Sequence, residues 1–371
     1  MRKVIVADND ADGVAHAYAL AKRGYEVAFF SPNRYAVEKA LRYKHLASHY
    51  FTRTEFMKLI TEGRLTASQE INVDDAGILI IPSDTLPNEI EGINKITSLA
   101  KSLLKRTSPN YIILAGVNAI GTTAKAIASI MDYCPEIEQE RLVYAGCPLH
   151  TPDKIPIYSK DGKGKVFKVV AKLYGKRYTN VPSPEVAEYI TLLKVIEKYV
   201  MYYIGVQIFL NSENLDLSAI DQVTQDRLTL GFENKQIENV FNYLKRSEKI
   251  QGYTTRIISE IMRCRKNALS SSMKYARRML RRLMKQKSNP KILAVVNSDE
   301  EQGVIVDLLP SSGMRVRVKQ IDDIPLSESG YSFMEGFDII ISTVACPAFS
   351  RVLRGLDNVY VFDLMRPVRG G

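Results

Sequence analysis

The chain has 371 residues, 46% hydrophobic and 25% charged, with a net charge of +10; that is enough apolar content for two or three domains with substantial cores. Its four cysteines, Cys134, Cys147, Cys264 and Cys346, lie far apart with no C-x-x-C pair, which excludes a zinc scaffold or disulfide framework of ordinary spacing and reads as buried thiols. The start, Met1-Arg2-Lys3-Val4, passes straight into a strand pattern and the most apolar segment, Tyr189 to Leu210, is interrupted by Lys194, Glu197 and Lys198, so neither signal peptide nor membrane span is expected and a soluble, cytoplasmic protein is the reading.

In chain order, Lys3 to Ala7 reads as a buried strand, Val14 to Lys22 as a helix and Gly24 to Phe30 as a second strand, the opening β-α-β of a Rossmann unit. In such a unit a G-x-G-x-x-G turn lets the backbone approach a pyrophosphate. Here those three positions hold Asp8, Asp10 and Gly13, and the acid expected after the second strand to bind a ribose is Ser31. Two carboxylates beside a pyrophosphate repel it by roughly 1 to 4 kcal/mol per close charge pair. No cofactor is therefore expected at this degenerate loop, NAD included.

A helix from Tyr35 follows, then one from Thr54 to Glu62 with an apolar face of Phe56, Leu59 and Ile60. Strands at Ala76 to Pro82, Tyr111 to Leu114 and Leu142 to Ala145 alternate with helices at Ile90 to Leu104 and Thr122 to Met131. That alternation implies a mostly parallel sheet covered on both faces. The charged stretch Tyr158 to Lys165 reads as a surface turn, and Pro182-Ser183-Pro184 introduces a helix from Glu185 to about Asn211, apolar nearly all round and so expected to be buried on several sides. More helices run to Lys287. The strand–helix pattern then returns with strands at Ile292 to Val296, Met314 to Val318, Phe337 to Ser342 and Val359 to Asp363, and a helix at Gly303 to Leu309. The expected architecture is α/β: two Rossmann-like parallel-sheet domains, residues 1–178 and 290–371, joined by a central all-helical dimerisation segment, 179–289, that contains the long helix.

This arrangement resembles the UDP-glucose/GDP-mannose dehydrogenase family. Lys22-Arg23-Gly24-Tyr25-Glu26-Val27, Thr54 to Leu59 with Glu62-Gly63-Arg64-Leu65-Thr66, Asp75 to Thr85, and Gly116 to Thr123 follow the order and spacing of that family's motifs. The resemblance implies nucleotide-sugar oxidation with NAD by a cysteine nucleophile, and a homodimer formed by pairing the central helices. The residues that would carry that chemistry differ here. Leu228 to Thr254, where the nucleophile would fall, contains no cysteine, and Cys264 lies beyond it on a basic segment. Leu149 stands where the resemblance implies a glutamate, and Glu188 and Leu192 stand near its helix lysine and asparagine. Asn297 to Gln302 replaces a C-terminal lysine–arginine signature. A thiohemiacetal mechanism needs a thiolate in reach of the aldehyde carbon, and no residue supplies one. No catalytic residue is assigned.

Two further features remain open. The loop Asp8-Asn9-Asp10-Ala11-Asp12-Gly13 is similar to acidic loops of TOPRIM and DHH phosphoesterase domains. Asp8, Asp10 and Asp12 are thus a candidate divalent-metal set, against the alternatives of helix capping and residual nucleotide binding. His45 and His49 have i, i+4 ligand spacing, but Arg42 and Lys44 beside them disfavour a cation. Between Arg263 and Lys291 there are eleven basic residues and no acidic one. There Leu269, Met273, Ala276, Leu280 and Leu283 form an apolar stripe, and Lys274, Arg277, Arg278, Arg281, Arg282 and Lys285 lie on other faces, either as a solvated surface or as a seat for nucleic acid or another polyanion. Three functions compete: a catalytically degenerate pseudoenzyme acting as a binding or scaffold protein, a nucleic-acid-associated protein that uses the basic helix with or without metal at the acidic loop, and an active dehydrogenase with a displaced site.

Overall fold

The computed structural model describes residues 3–9, 13–41, 53–70, 76–86, 88–149, 154–160, 164–211, 234–246, 256, 259–260, 263, 274, 277–278, 280–282, 285, 290–296, 316–321, 324, 328–342, 349, 352–353, 355–356 and 359–363. By internal contacts the chain divides into two compact units: Met1–Leu46, Glu55–Glu197 and Phe232–Lys249 in one, Ala47–Thr54, Lys198–Gly231 and Ile250–Gly371 in the other.

The first unit is built on an eight-stranded sheet. Its elements run β1 (Lys3–Ala7), α1 (Val14–Lys22), β2 (Val27–Phe30), α2 (Arg34–Leu41), α3 (Arg53–Thr61), β3 (Leu65–Ser68), β4 (Ala76–Pro82) and α4 (Glu89–Leu104). They continue with β5 (Tyr111–Gly116), α5 (Thr122–Tyr133), β6 (Leu142–Gly146), β7 (Lys154–Ser159), α6 (Lys165–Tyr174), β8 (Arg177–Asn180), α7 (Pro184–Asn211), of which the part up to Glu197 belongs to this unit, and α8 (Asn234–Arg246). The strand order is β3-β2-β1-β4-β5-β6-β7-β8, and every pair is parallel except β6–β7. Val4, Ile5, Val6 and Ala7 of β1 and Ile112 to Ala115 of β5 are wholly buried, as strands with helices over both faces require.

Three strands, β3, β7 and β8, go beyond the sequence reading. Tyr158 and Ser159, read as the beginning of a turn, are the last residues of β7. The chain order reverses between β1 and β4, which opens a crevice outside their carboxyl ends, the place where open α/β sheets bind ligands.

The long helix α7, expected to be buried on several sides, buries one side within the chain over its first three turns. Over its first three turns Pro184, Ala187, Glu188, Thr191, Leu192 and Val195 are buried, an i, i+3, i+4 stripe, whereas Val186, Tyr189 and Leu193 are 37%, 43% and 42% exposed.

The second unit holds a four-stranded parallel sheet of order β10-β9-β11-β12: β9 (Ile292–Val296), β10 (Val316–Gln320), β11 (Ile339–Ser342) and β12 (Tyr360–Asp363), with helix α9 (Glu328–Glu335). One face packs on Met334, Phe349, Val352 and Leu353. The other packs on Leu280. The expected helix Gly303 to Leu309 lies outside the described residues. Among the described residues no helix is long and apolar enough to cross a membrane.

Candidate functional site

At the switch point the end of β1 delivers Asp8, which is 1% exposed. Its Oδ2 accepts the Gly13 N–H at 2.8 Å and its Oδ1 meets Lys95 Nζ, from α4, at 2.6 Å. The carboxylate thus occupies one of the free N–H groups with which a Rossmann turn greets an anion, and its charge is compensated from within the chain. Gly13 is required by this approach, since a Cβ there would stand 2.7 Å from Asp8 Cβ. Breaking a buried ion pair by removing one partner costs about 3–5 kcal/mol, so the pair is a committed feature of the fold rather than a mobile surface contact. Asp10 and Asp12, the other two members of the expected metal set, lie outside the described residues. So do His45 and His49. Among the described residues no three His, Cys, Asp or Glu side chains cluster as a metal site would require.

Ser31 follows β2 and is wholly buried. Its N–H donates to the Ser68 carbonyl at 3.3 Å and its Oγ accepts the Asn33 N–H at 3.2 Å, so the hydroxyl shapes its own turn.

A second carboxylate stands at the neighbouring strand ends. Glu188 of α7 is wholly buried. Its Oε2 accepts the Gly121 N–H at 2.6 Å and its Oε1 the Thr123 N–H at 2.7 Å, with the Thr122 hydroxyl at 3.3 Å from Oε1. The Thr122 proton has a closer acceptor in the Ala119 carbonyl at 2.7 Å, so the two backbone donors hold the carboxylate. These N–H groups open α5, and an acidic side chain on a helix N-terminus is stabilised by both the free donors and the dipole. Burial raises the Glu188 carboxyl above its ordinary value, opposed by the hydrogen bonds from Thr123, Gly121 and Thr122.

Tight packing of α7 on the end of β6 delivers that side chain. A Cβ on Gly146 would collide with Thr191 Oγ1, one turn beyond Glu188, and stand 2.7 Å from Pro156 Cγ. Around Glu188 the loops after β4 and β5 are knitted together. Asp84 Oδ1 accepts the Val117 N–H at 2.6 Å, Thr85 Oγ1 accepts the Ala119 N–H at 3.0 Å, and Asn118 Nδ2 donates to Thr123 Oγ1 at 2.9 Å. Tyr243 of α8 accepts the Ile120 N–H at 2.8 Å, and Tyr144 donates to the Gly116 carbonyl at 2.9 Å.

The sequence reading noted Glu188 only as the residue in place of a lysine. A signal for it exists in the pattern: it falls in the i, i+3, i+4 stripe with Pro184, Ala187, Thr191, Leu192 and Val195, and a carboxylate in a buried stripe must have donors waiting. Of the cysteines, Cys134 and Cys147 are buried and free of disulfides, while Cys264 and Cys346 lie outside the described residues. Leu149, just after Cys147, contributes its carbonyl to Lys176 Nζ at 3.2 Å. A groove of about 290 Å³ beside α5, lined by Ala124, Ile127, Ala128, Met131 and Pro184 among others, adjoins the start of α7. In the second unit Lys274, Arg277, Arg278, Arg281, Arg282 and Lys285 are helical and exposed, and Leu280 between them is wholly buried.

No protein-family model matches the chain. No curated protein matches it in sequence either. Solved structures do match its fold. A UDP-glucose dehydrogenase from the hyperthermophilic archaeon Pyrobaculum islandicum is 14% identical with a TM-score of 0.61, covering 99% of this chain and 95% of that one. A UDP-D-ManNAc dehydrogenase from Pyrococcus horikoshii is 13% identical with a TM-score of 0.54, covering 100% and 97%. The likeness is one of fold, over both units.

Proposed function

We propose that this chain is a non-catalytic binding or scaffold protein on the nucleotide-sugar dehydrogenase fold, one in which internal carboxylates have taken the anion seats of the cofactor crevice. The observation that carries the reading is Asp8, buried on the Gly13 N–H and neutralised by Lys95. A nicotinamide dinucleotide does not fit these residues: its pyrophosphate would meet a carboxylate where it needs a donor, and its ribose would meet Ser31 where it needs an acceptor with charge. The absence of cysteine from Leu228 to Thr254 supports the same reading, because oxidation through a thiohemiacetal needs a thiolate there.

The test is calorimetric titration with NAD and NADP, alongside a search for NADH formation with UDP-glucose or GDP-mannose. No heat of binding below millimolar concentration and no turnover are expected. Micromolar affinity for either dinucleotide, or steady NADH production, overturns the proposal. As a scaffold the protein acts as a homodimer, paired through α7, whose Val186, Tyr189 and Leu193 leave an apolar stripe on the surface.

A further inference from the structure

In the second unit the described cations of the basic segment are all helical. Lys274, Arg277, Arg278, Arg281, Arg282 and Lys285 are spaced i, i+3, i+4, i+7, i+8 and i+11, which at 3.6 residues per turn gathers them into an arc of about 140° and a stripe about 17 Å long. All six are exposed. On the opposite side Leu280 is wholly buried in a cluster with Ile292, Ala294, Val296, Ile339 and Ile341, so the helix is clamped to one face of the β9–β11 sheet and its cations are turned outward. Glu260, paired with Arg263 at 2.6 Å, is the last acid in the sequence before Lys291.

From this geometry we propose that the arc is a docking surface for double-stranded nucleic acid, bound through its phosphates and without regard to sequence. A duplex carries one negative charge per about 1.7 Å of axis counting both strands, so a length matching the stripe carries on the order of ten phosphates, of which those on the facing side meet the cations. The six side chains are lysines and arginines alone, with no aromatic among them for bases to stack on; a single strand, which gains much of its affinity from stacking, is the weaker fit. Binding to an anionic membrane by insertion is disfavoured because Leu280, on the side away from the cations, is buried against the sheet. Rigid support from that sheet fixes the spacing of the cations, and phosphate contacts position without reading bases.

The test uses the full-length protein and a fluorescent duplex of arbitrary sequence, titrated by anisotropy across a salt series. With six contacts the slope of log affinity against log salt is about −5, a loss of roughly a thousandfold between 50 and 200 mM salt. Combining Lys274→Gln, Arg278→Gln, Arg281→Gln and Arg282→Gln brings the slope to about −2 and weakens unrelated duplexes alike. A thermal melt checks that this variant folds; if it does not, the pair Arg278→Gln and Arg282→Gln, which reduces the slope by about 2, takes its place. Failure to bind duplex at low salt overturns the proposal. So does binding that the substitutions leave unchanged, or tighter salt-sensitive binding to phosphatidylserine vesicles than to duplex.

Discussion

Removing the Glu188 side chain is the sharpest probe of the strand-end network. In Glu188→Ala the Gly121 and Thr123 N–H groups, now 2.6 and 2.7 Å from carboxylate oxygens, lose their acceptor inside a wholly buried site. Each stranded donor costs about 1–3 kcal/mol, and the wild-type carboxylate already bears a desolvation cost that the variant escapes, so a net destabilisation of about 2–4 kcal/mol is expected. Glu188→Gln keeps one acceptor oxygen and costs less. The pH dependence separates the two effects. Burial raises the folded-state value of Glu188, so the group's contribution to stability is full below the ordinary carboxylate value and declines as pH rises through the raised one. The Glu188→Gln penalty should therefore shrink as pH rises above that ordinary range. Denaturant unfolding of both variants from pH 4 to 8, with amide exchange at Gly121 and Thr123, measures this. Faster exchange at those two amides and a penalty that shrinks toward neutral pH are expected. A Glu188→Ala protein within about 0.5 kcal/mol of wild type, the ordinary range for inconsequential substitutions, refutes the reasoning.

A buried histidine gives a second pH signature. His16 Nδ1 lies 2.9 Å from the Tyr174 hydroxyl, and burial lowers its pKa to about 4. The folded state thus resists protonation: stability from this group is present above the unfolded value of about 6.5 and is lost as pH falls toward 4, on the order of 3 kcal/mol in all. His16→Gln should flatten the stability profile between those pH values, and an unchanged profile would count against the assignment. At Gly146 an alanine meets Thr191 Oγ1 and Pro156 Cγ and should cost about 1–3 kcal/mol, part of it recovered when Thr191→Ala is added; simple additivity of the two changes would sink the packing argument. For assembly, light scattering should give twice the 41.8 kDa chain mass, and Leu193→Glu, which places a charge in the exposed stripe of α7, should return the monomer. A wild-type monomer at micromolar concentration would overturn the pairing.

The fold was legible where burial leaves a one-dimensional trace. β1, β4, β5 and β9 lie inside sheets and read as unbroken apolar runs. The strands that the pattern missed carry weaker signals for physical reasons. β8 is an edge strand, with only Tyr178 partly buried between exposed neighbours, and β7 contains Pro156, which argues against a central strand until its partners are known. β3 is four residues long and only Leu65 is buried. Spacing places Glu188 in the buried stripe of α7 but not against its partners, because its role is set by the start of α5, more than sixty residues away in the chain.

The loop after β1 was legible as a departure from a glycine turn, but its consequence was not. Counting lost glycines suggests a site vacated, whereas the geometry shows a seat taken, with Asp8 on the Gly13 N–H and Lys95 of α4 balancing its charge. The same substitution recurs at α5, where Glu188 sits on the free donors of the helix N-terminus. Helix N-termini at the carboxyl edge of a parallel sheet favour an anion, and that preference does not depend on whether the anion arrives as a ligand or on the chain's own side chain. An internal carboxylate is present at every moment, so it satisfies those donors without waiting for a ligand, and any exogenous anion must first displace it. The two carboxylates therefore bear directly on stability: each satisfies a helix end that the fold leaves open.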